Sequence, residues 1–169
     1  MAKIIKGRVT AGIEGDFVVF IIGMRVNKPW KIHKWLPVTL AMPKMLKELY
    51  ADKSSGFLGA SFGLPVMVQY WRSAEDLIRY ARTKDTEHFP AWVNFNKLVG
   101  QSGDVGIFHE TYKVSAGQYE SVYNNMPKTG LGRFAELVPA KGNRGSANSR
   151  LGLTKEDDSP IDPEGAVKA

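Results

Sequence analysis

Residues 16–26 read DFVVFIIGMRV, and the reading of this stretch decides the fold. Successive side chains of an extended strand point to opposite faces. Phe17, Val19 and Ile21 therefore share one face, and Val18, Phe20 and Ile22 share the other. Both faces are apolar. A strand of this kind must be covered on both sides, whereas a half-buried strand alternates apolar with polar residues.

The segments that follow supply one cover. In WLPVTLAMPKMLKELYAD, residues Leu36, Leu40, Leu46, Leu49 and Tyr50 recur at roughly helical spacing, while Pro37 and Pro43 predict a late start or a kink. GFLGASFG and PVMVQYWRS read as two strands around a turn at Gly63–Leu64. Ser73 is placed to cap a helix AEDLIRYARTK, and Ser73 with Asp76 has the spacing of a loose capping box. HFPAWVNFNKLV reads as a further helix with Pro90 in its first turn. VGIFHETYKV is rich in β-branched and aromatic residues and reads as a strand. GQYESVYNNM reads as a short helix or turn.

The order is β-α-β-β-α(α)-β, an α+β chain on the ferredoxin-like split βαβ plan with an antiparallel sheet. Helices normally cover one face of such a sheet. The expected cover for the other is the sheet of a second copy, giving a homodimeric α/β barrel; a ligand pocket there would serve as well. The expected organisation is an N-terminal arm over 1–15, a ferredoxin-like α+β barrel domain over 16–126, and an extended or partly disordered C-terminal tail over 127–169. That last segment is rich in Gly, Pro and Ser and has no sustained period, so removing residues from about Asn143 onward is expected to leave folding intact.

Composition narrows the function classes. The 169 residues hold 43% hydrophobic and 24% charged side chains, the balance of a globular protein. There is no cysteine, which excludes disulfides and thiolate metal sites. No apolar run reaches the length of a membrane span, and the N-terminal residues have no apolar core of the secretory kind. A cytoplasmic protein without membrane contacts is the expectation. The net charge of +6 is spread along the chain, with clusters at Lys28–Lys34 and Lys141–Arg150, and no nucleic-acid-binding signature accompanies it. Serine-hydrolase and phosphate-loop patterns are missing as well.

Two of the three histidines, His88 and His109, frame the chemistry. On a helix beginning near His88, that residue shares a face with Trp92, Phe95 and Val99. Such a face is either plain amphipathic packing or the mouth of an apolar pocket with a ligating or acid–base histidine. On the following strand His109 lies with Ile107 and Thr111, and Glu110 with Phe108 and Tyr112. Among β-branched neighbours His109 is expected to be shielded from water and so to need a partner. The plain reading of Glu110 is an ion pair with Arg72 or Arg79. His33, followed by Lys34 and Trp35, reads as surface.

Four motifs in order, HFPAWVNFN, GDVGIFHETYKV, GQYESVYNNMP and TGLG, resemble a family of small monooxygenases of the fumagillin-biosynthesis type. The resemblance covers about Gly15 to Gly132. That family belongs to the dimeric α/β-barrel superfamily, alongside antibiotic-biosynthesis monooxygenases. More distantly, the strand end Tyr70–Ser73 (YWRS), the helical His88 followed by an aromatic residue, and His109–Glu110 on the last strand resemble the haem-containing aldoxime dehydratases. Those enzymes are about twice as long, with two ferredoxin-like halves.

The resemblance implies a monooxygenase-like oxidoreductase acting on a small hydrophobic or aromatic substrate. It implies haem as cofactor, with His88 as the axial ligand of the iron and His109 as a proton donor or acceptor. Trp92, Phe95, Trp71 and Phe108 are the aromatic residues available to wall a porphyrin or an aromatic substrate. In a cofactor-independent monooxygenase, His109, Glu110 or Tyr112 would act as base or hydrogen-bond donor. An aldoxime dehydratase-like lyase and a non-catalytic carrier of haem or a hydrophobic ligand complete the alternatives.

Overall fold

A computed structural model of the chain describes residues 2–63 and 65–154. Its strands and helices are β1 (Ile5–Gly12), β2 (Phe17–Val26), α1 (Ile32–Ala51), β3 (Phe57–Gly63), β4 (Val66–Trp71), α2 (Ala74–Arg82), α3 (His88–Leu98), β5 (Val105–Val114), β6 (Tyr123–Met126), β7 (Glu136–Pro139) and α4 (Ala147–Arg150). Two compact units result, Phe17–Lys113 and the described parts of Met1–Asp16 with Val114–Ala169. Among the described residues no helix is long and apolar enough to cross a membrane.

In the first unit the strand order β3-β4-β2-β5 is that of a ferredoxin-like sheet. β4 pairs antiparallel with both β2 and β3. Each strand matches its sequence reading, because the apolar runs are bounded by turn residues. The turn expected at Gly63–Leu64 falls partly on Leu64, which lies outside the described residues.

The central strand does face two ways. The pairs Val18–Trp71, Phe20–Gln69 and Ile22–Met67 lie on the face that meets the helices. There Val18, Trp71, Leu49 and Tyr80 form one buried cluster, and Leu46, Ala60 and Met67 form another. Each large apolar side chain buried in this way contributes roughly 1.5–3 kcal/mol. The other face carries Val19 paired with Tyr70 and Ile21 paired with Val68.

α1 runs unbroken through Pro37 and Pro43, starting at Ile32 and so earlier than the sequence predicts. Each proline forfeits one backbone hydrogen bond, but Leu46 and Leu49 on the last two turns are buried and hold the helix to the sheet. At the edge of that sheet, Asp104 is buried before β5. Lys28 Nζ and Lys31 Nζ reach its carboxylate at 2.7 and 2.9 Å. These two lysines, with the help of those hydrogen bonds, hold the Asp104 carboxyl well below the usual carboxylate range. The basic cluster Lys28–Lys34 is thus partly a structural clamp, and Lys34 Nζ donates to the carbonyl of Leu98.

The second unit departs from the sequence reading. Residues 1–15, expected as an arm, contain strand β1. GQYESVYNNM, expected as a helix or turn, contains strand β6. The segment after residue 126 adds β7, and the three form an antiparallel sheet in the order β6-β1-β7. Val9 pairs with Tyr123 and with Pro139, so the partners are more than a hundred residues apart and leave no local signal.

Residues beyond 140 are bound into this unit as well. Arg150, with a side chain only 6% exposed, donates through Nε to Glu120 Oε1 at 3.0 Å and pairs with the same carboxylate through Nη2. Its Nη1 donates to the carbonyls of Arg144 at 2.8 Å and Gly145 at 3.0 Å. Arg8 Nη2 donates to Gly145 O at 3.0 Å. Residues 155–169 of the expected tail lie outside the described residues.

Contrary to the expectation for the tail, removal of residues 143–169 should lower the unfolding midpoint by several degrees. Arg150→Ala alone should cost about 2 kcal/mol, because it strips a part-buried carboxylate and the Arg144 carbonyl of their donor and leaves the Gly145 carbonyl with Arg8 alone. Thermal unfolding followed by circular dichroism checks both; an unchanged midpoint would show the segment to be dispensable.

Candidate functional site

The site is built where α2 ends and α3 begins. Ser73 caps α2 as the sequence predicts, its Oγ accepting from Asp76 N at 3.1 Å. Asp76 does not close a capping box in return. Its carboxylate is taken by Arg72 Nε at 2.8 Å and by Arg79. The arginines offered to Glu110 by its plain reading are therefore both engaged on Asp76.

After Arg82 the chain turns, with Thr86 Oγ1 donating to Thr83 O at 2.7 Å. α3 then starts at His88 with no side-chain cap of its own. A carboxylate from α1 does that work. Glu48 accepts from Glu87 N at 3.0 and 3.3 Å, placing negative charge at a helix N-terminus where the dipole favours it. The same carboxylate accepts from Tyr80 Oη at 2.7 Å. Burial, and then this bond to Glu48, push the Tyr80 hydroxyl far above its usual pKa. Tyr80 is thus a permanent hydrogen-bond donor, and its ring lies 6.1 Å from that of His88.

His88 is half-buried. Its Nδ1 lies 2.9 Å from the carbonyl oxygen of Ala81. A carbonyl only accepts, so Nδ1 carries the proton and Nε2 is left with a free lone pair. Burial lowers the His88 pKa below its ordinary value; the Ala81 carbonyl opposes this, and the charge of His109 adds to it. The two histidines therefore stand within electrostatic range of one another. His109 rests against Phe20, ring centres 5.5 Å apart, on the helix-bearing face of the sheet.

Beside His88 lies an open pocket of about 310 Å³ lined by Ala81, Arg82, His88, Phe89 and Trp92. That volume is at the lower end for small-molecule sites, roughly 300–1,000 Å³. The rings of Phe89 and Trp92 are 6.1 Å apart, and Trp92 is 56% exposed.

The structure divides the remaining residues. Trp71 is 1% exposed and belongs to the core, its Nε1 donating to Gln69 Oε1 at 3.0 Å; it cannot wall a pocket open to a ligand. Phe95 is half-buried on α3 and does not line the pocket. Phe108 sits on the opposite face of the sheet: a Cβ on Gly23 would lie 2.3 Å from its ring. Glu110 and Tyr112 share that face, with Tyr112 Oη donating to Glu110 Oε2 at 2.6 Å. The hydrogen bond to Glu110, the main cause, raises the Tyr112 pKa, which suits Tyr112 to donating rather than to acting as a base.

His109 is exposed in this chain, not shielded, because β5 is the edge strand of the sheet. Among the described residues no group of three or more His, Asp or Glu is arranged to hold a metal ion. Sequence reasoning missed Glu48, Tyr80, Phe89 and Arg82. Only the tertiary fold brings Glu48 on α1 to the N-terminus of α3, whereas Phe89 was visible as the aromatic residue following His88.

Residues 17–131 match the family described as "Monooxygenase af470-like", and the chain belongs to that family. A curated relative, "Monooxygenase af470" of Aspergillus fumigatus, is 31% identical over 162 residues, covering 79% of this chain and 56% of the relative. The chain thus spans little more than half the length of the curated relative it matches. A crystal structure of aldoxime dehydratase superposes with a TM-score of 0.62 at 18% identity, covering 82% of this chain and 45% of that one. The likeness shows a shared fold.

The state of His88 predicts a pH effect. In the ligand-free protein His88 resists protonation, while the unfolded chain takes up that proton below about pH 6.5. His88 therefore leaves stability unchanged well above that pH and weakens the fold progressively as pH falls through and below it. Urea unfolding at pH 7.5 and pH 5 should show a smaller acid loss in His88→Gln than in the parent. An equal loss in both would mean that His88 titrates normally.

Proposed function

We propose that this member of the monooxygenase af470-like family is a monooxygenase-like oxidoreductase for a small hydrophobic or aromatic substrate, with His88 as the axial ligand of a haem. The observation that carries the reading is the state of His88: neutral, fixed through Nδ1 to the Ala81 carbonyl, and offering Nε2 beside an aromatic-walled pocket. Haem ligation by imidazole needs that arrangement, a ligand nitrogen kept bare and a second ring nitrogen held by an acceptor. The donor chemistry fits the group, and Phe89 and Trp92 fit its flat apolar surface.

Bound there, haem would supply the redox chemistry with oxygen that neither histidine can supply. The protein's own part is positional and protonic. Glu48 holds the start of α3 and the Tyr80 hydroxyl together, which keeps the His88 ring from turning. His109, exposed and resting against Phe20 on the helix-bearing face of the sheet, is the proposed proton donor or acceptor. Phe89 and Trp92 would keep water from the side of a ligand packed against them.

Of two other readings, one uses the same parts and the other does not. A lyase reaction of the aldoxime dehydratase kind would rely on the same two histidines. A cofactor-independent monooxygenase is favoured by a separate observation, the short Tyr112–Glu110 hydrogen bond beside Phe108 on the helix-free face. Phe108 and Tyr112 are 47% and 50% exposed on the face that also carries Val19 and Ile21, which also supports cover by a second copy of the chain. Sedimentation at micromolar concentration should then give a dimer, and a compact monomer would end that idea.

The cofactor is tested by adding haem to the purified protein. A Soret band should appear, and His88→Ala should shift or abolish it. His109→Ala should retain the band while losing haem-dependent oxygen uptake with a phenolic probe such as 1-naphthol. Equal haem binding by His88→Ala and the parent would overturn the assignment. A parent active on the probe without haem would favour the cofactor-independent reading, and conversion of an aliphatic aldoxime to its nitrile would favour the lyase.

A further inference from the structure

The pocket beside His88 has one residue that neither ligation nor aromatic packing explains. Arg82 is the last residue of α2, is exposed, and lines the pocket together with Phe89 and Trp92. The neighbouring arginine of the same helix is committed: Arg79 pairs with Asp76 and donates to Ser55 O. Arg82 forms no ion pair or side-chain hydrogen bond among the described residues. A guanidinium left unpaired at the rim of an apolar pocket presents a planar set of donors matched to a carboxylate.

We infer that this pocket takes a flat apolar ligand bearing an acidic group, with Arg82 pairing the acid while Phe89 and Trp92 pack on the ring. The inference deepens the haem reading, since it concerns the same pocket, but it stands on different residues. A haem with its propionates and a free aromatic carboxylate share this chemistry. In either case the acid points toward the C-terminal end of α2, where Arg82 stands, and the ring system lies over Phe89 and Trp92. His88 then meets whatever the ring carries at its centre or edge. Specificity follows from the pairing: an ester or amide of the same ring system offers no anion, and Arg82 keeps its water instead.

The test uses metal-free protoporphyrin IX and its dimethyl ester, so that no iron–histidine bond contributes. Absorbance titration of the full chain should show the free acid binding about fivefold more tightly than the diester, the scale of an exposed ion pair. Arg82→Gln should remove the difference between the two probes. Trp92→Ala should weaken both together. His88→Ala should leave the acid preference intact, which separates this inference from the ligation of haem. 2-Naphthoate set against 2-naphthamide repeats the comparison with a small ligand: an acid preference confined to the porphyrin assigns the site to a tetrapyrrole, and one seen with both probes assigns it to aromatic acids generally. The inference is overturned if Arg82→Gln keeps the acid preference, if Trp92→Ala binds as the parent does, or if acid and ester bind equally from the start.

Discussion

Asp76 is the point on which the end of the Phe17–Lys113 unit that carries the candidate site depends. Its side chain is 6% exposed and is gripped by Arg72 from the end of β4 and by Arg79 from the next turn of α2. Burial alone would drive the group toward its neutral form, but the two guanidinium groups override it and hold the pKa below the usual value. Gly56 makes room for the arrangement. Its φ is +82°, and a Cβ there would stand 2.1 Å from Asp76 Oδ2. Its carbonyl accepts from Arg72 N at 2.8 Å, so the start of β3, the end of β4 and the first turn of α2 meet at one carboxylate. The direction of α2 follows, and with it the positions of Tyr80, Ala81 and Arg82.

From that point outward, the structure sorts aromatic residues by task. Trp71 and Tyr80 sit with Phe57 in the core, ring centres 5.2 and 5.9 Å from Trp71. Phe89 and Trp92 stay at the surface, where a ligand can reach them. Phe108 and Tyr112 occupy the far face of the sheet. The alternation of β5 thus keeps His109 and Glu110, neighbours in sequence, on opposite sides of one layer, and they cannot act on one bound molecule within this unit.

Much of the Phe17–Lys113 unit was legible because its signals are local. The two-sided apolar run of β2, the Ser73 cap and the period of β5 each lie within about ten residues, and strand order follows once they are placed. The sheet of β1, β6 and β7 was not legible, since four-residue strands such as Tyr123–Met126 carry too little pattern to stand out from a turn. Of the candidate site, the shared helix face of His88 and Trp92 could be read from spacing, whereas His109, read alongside them, does not line that pocket. The shielding expected of His109 failed because a strand's composition says nothing of its place at a sheet edge. Glu48 and Arg82 were missed because their significance lies in what they touch, and in what they leave untouched, across elements of the fold.

The pairing of β1 with strands near the other end of the described chain sets an order of events during synthesis. Val9 has no partner until Tyr123 and then Pro139 have left the ribosome, whereas every strand of the ferredoxin-like sheet is available by Val114. Contacts so distant in sequence form slowly, and domains generally fold as units while the chain emerges. The earliest of the described strands to be made is therefore among the last of them to be joined. Through that interval IKGRVTAG is an exposed strand edge with Lys6 and Arg8 as its charges, and these basic residues guard it against pairing with the same segment of a neighbouring nascent chain.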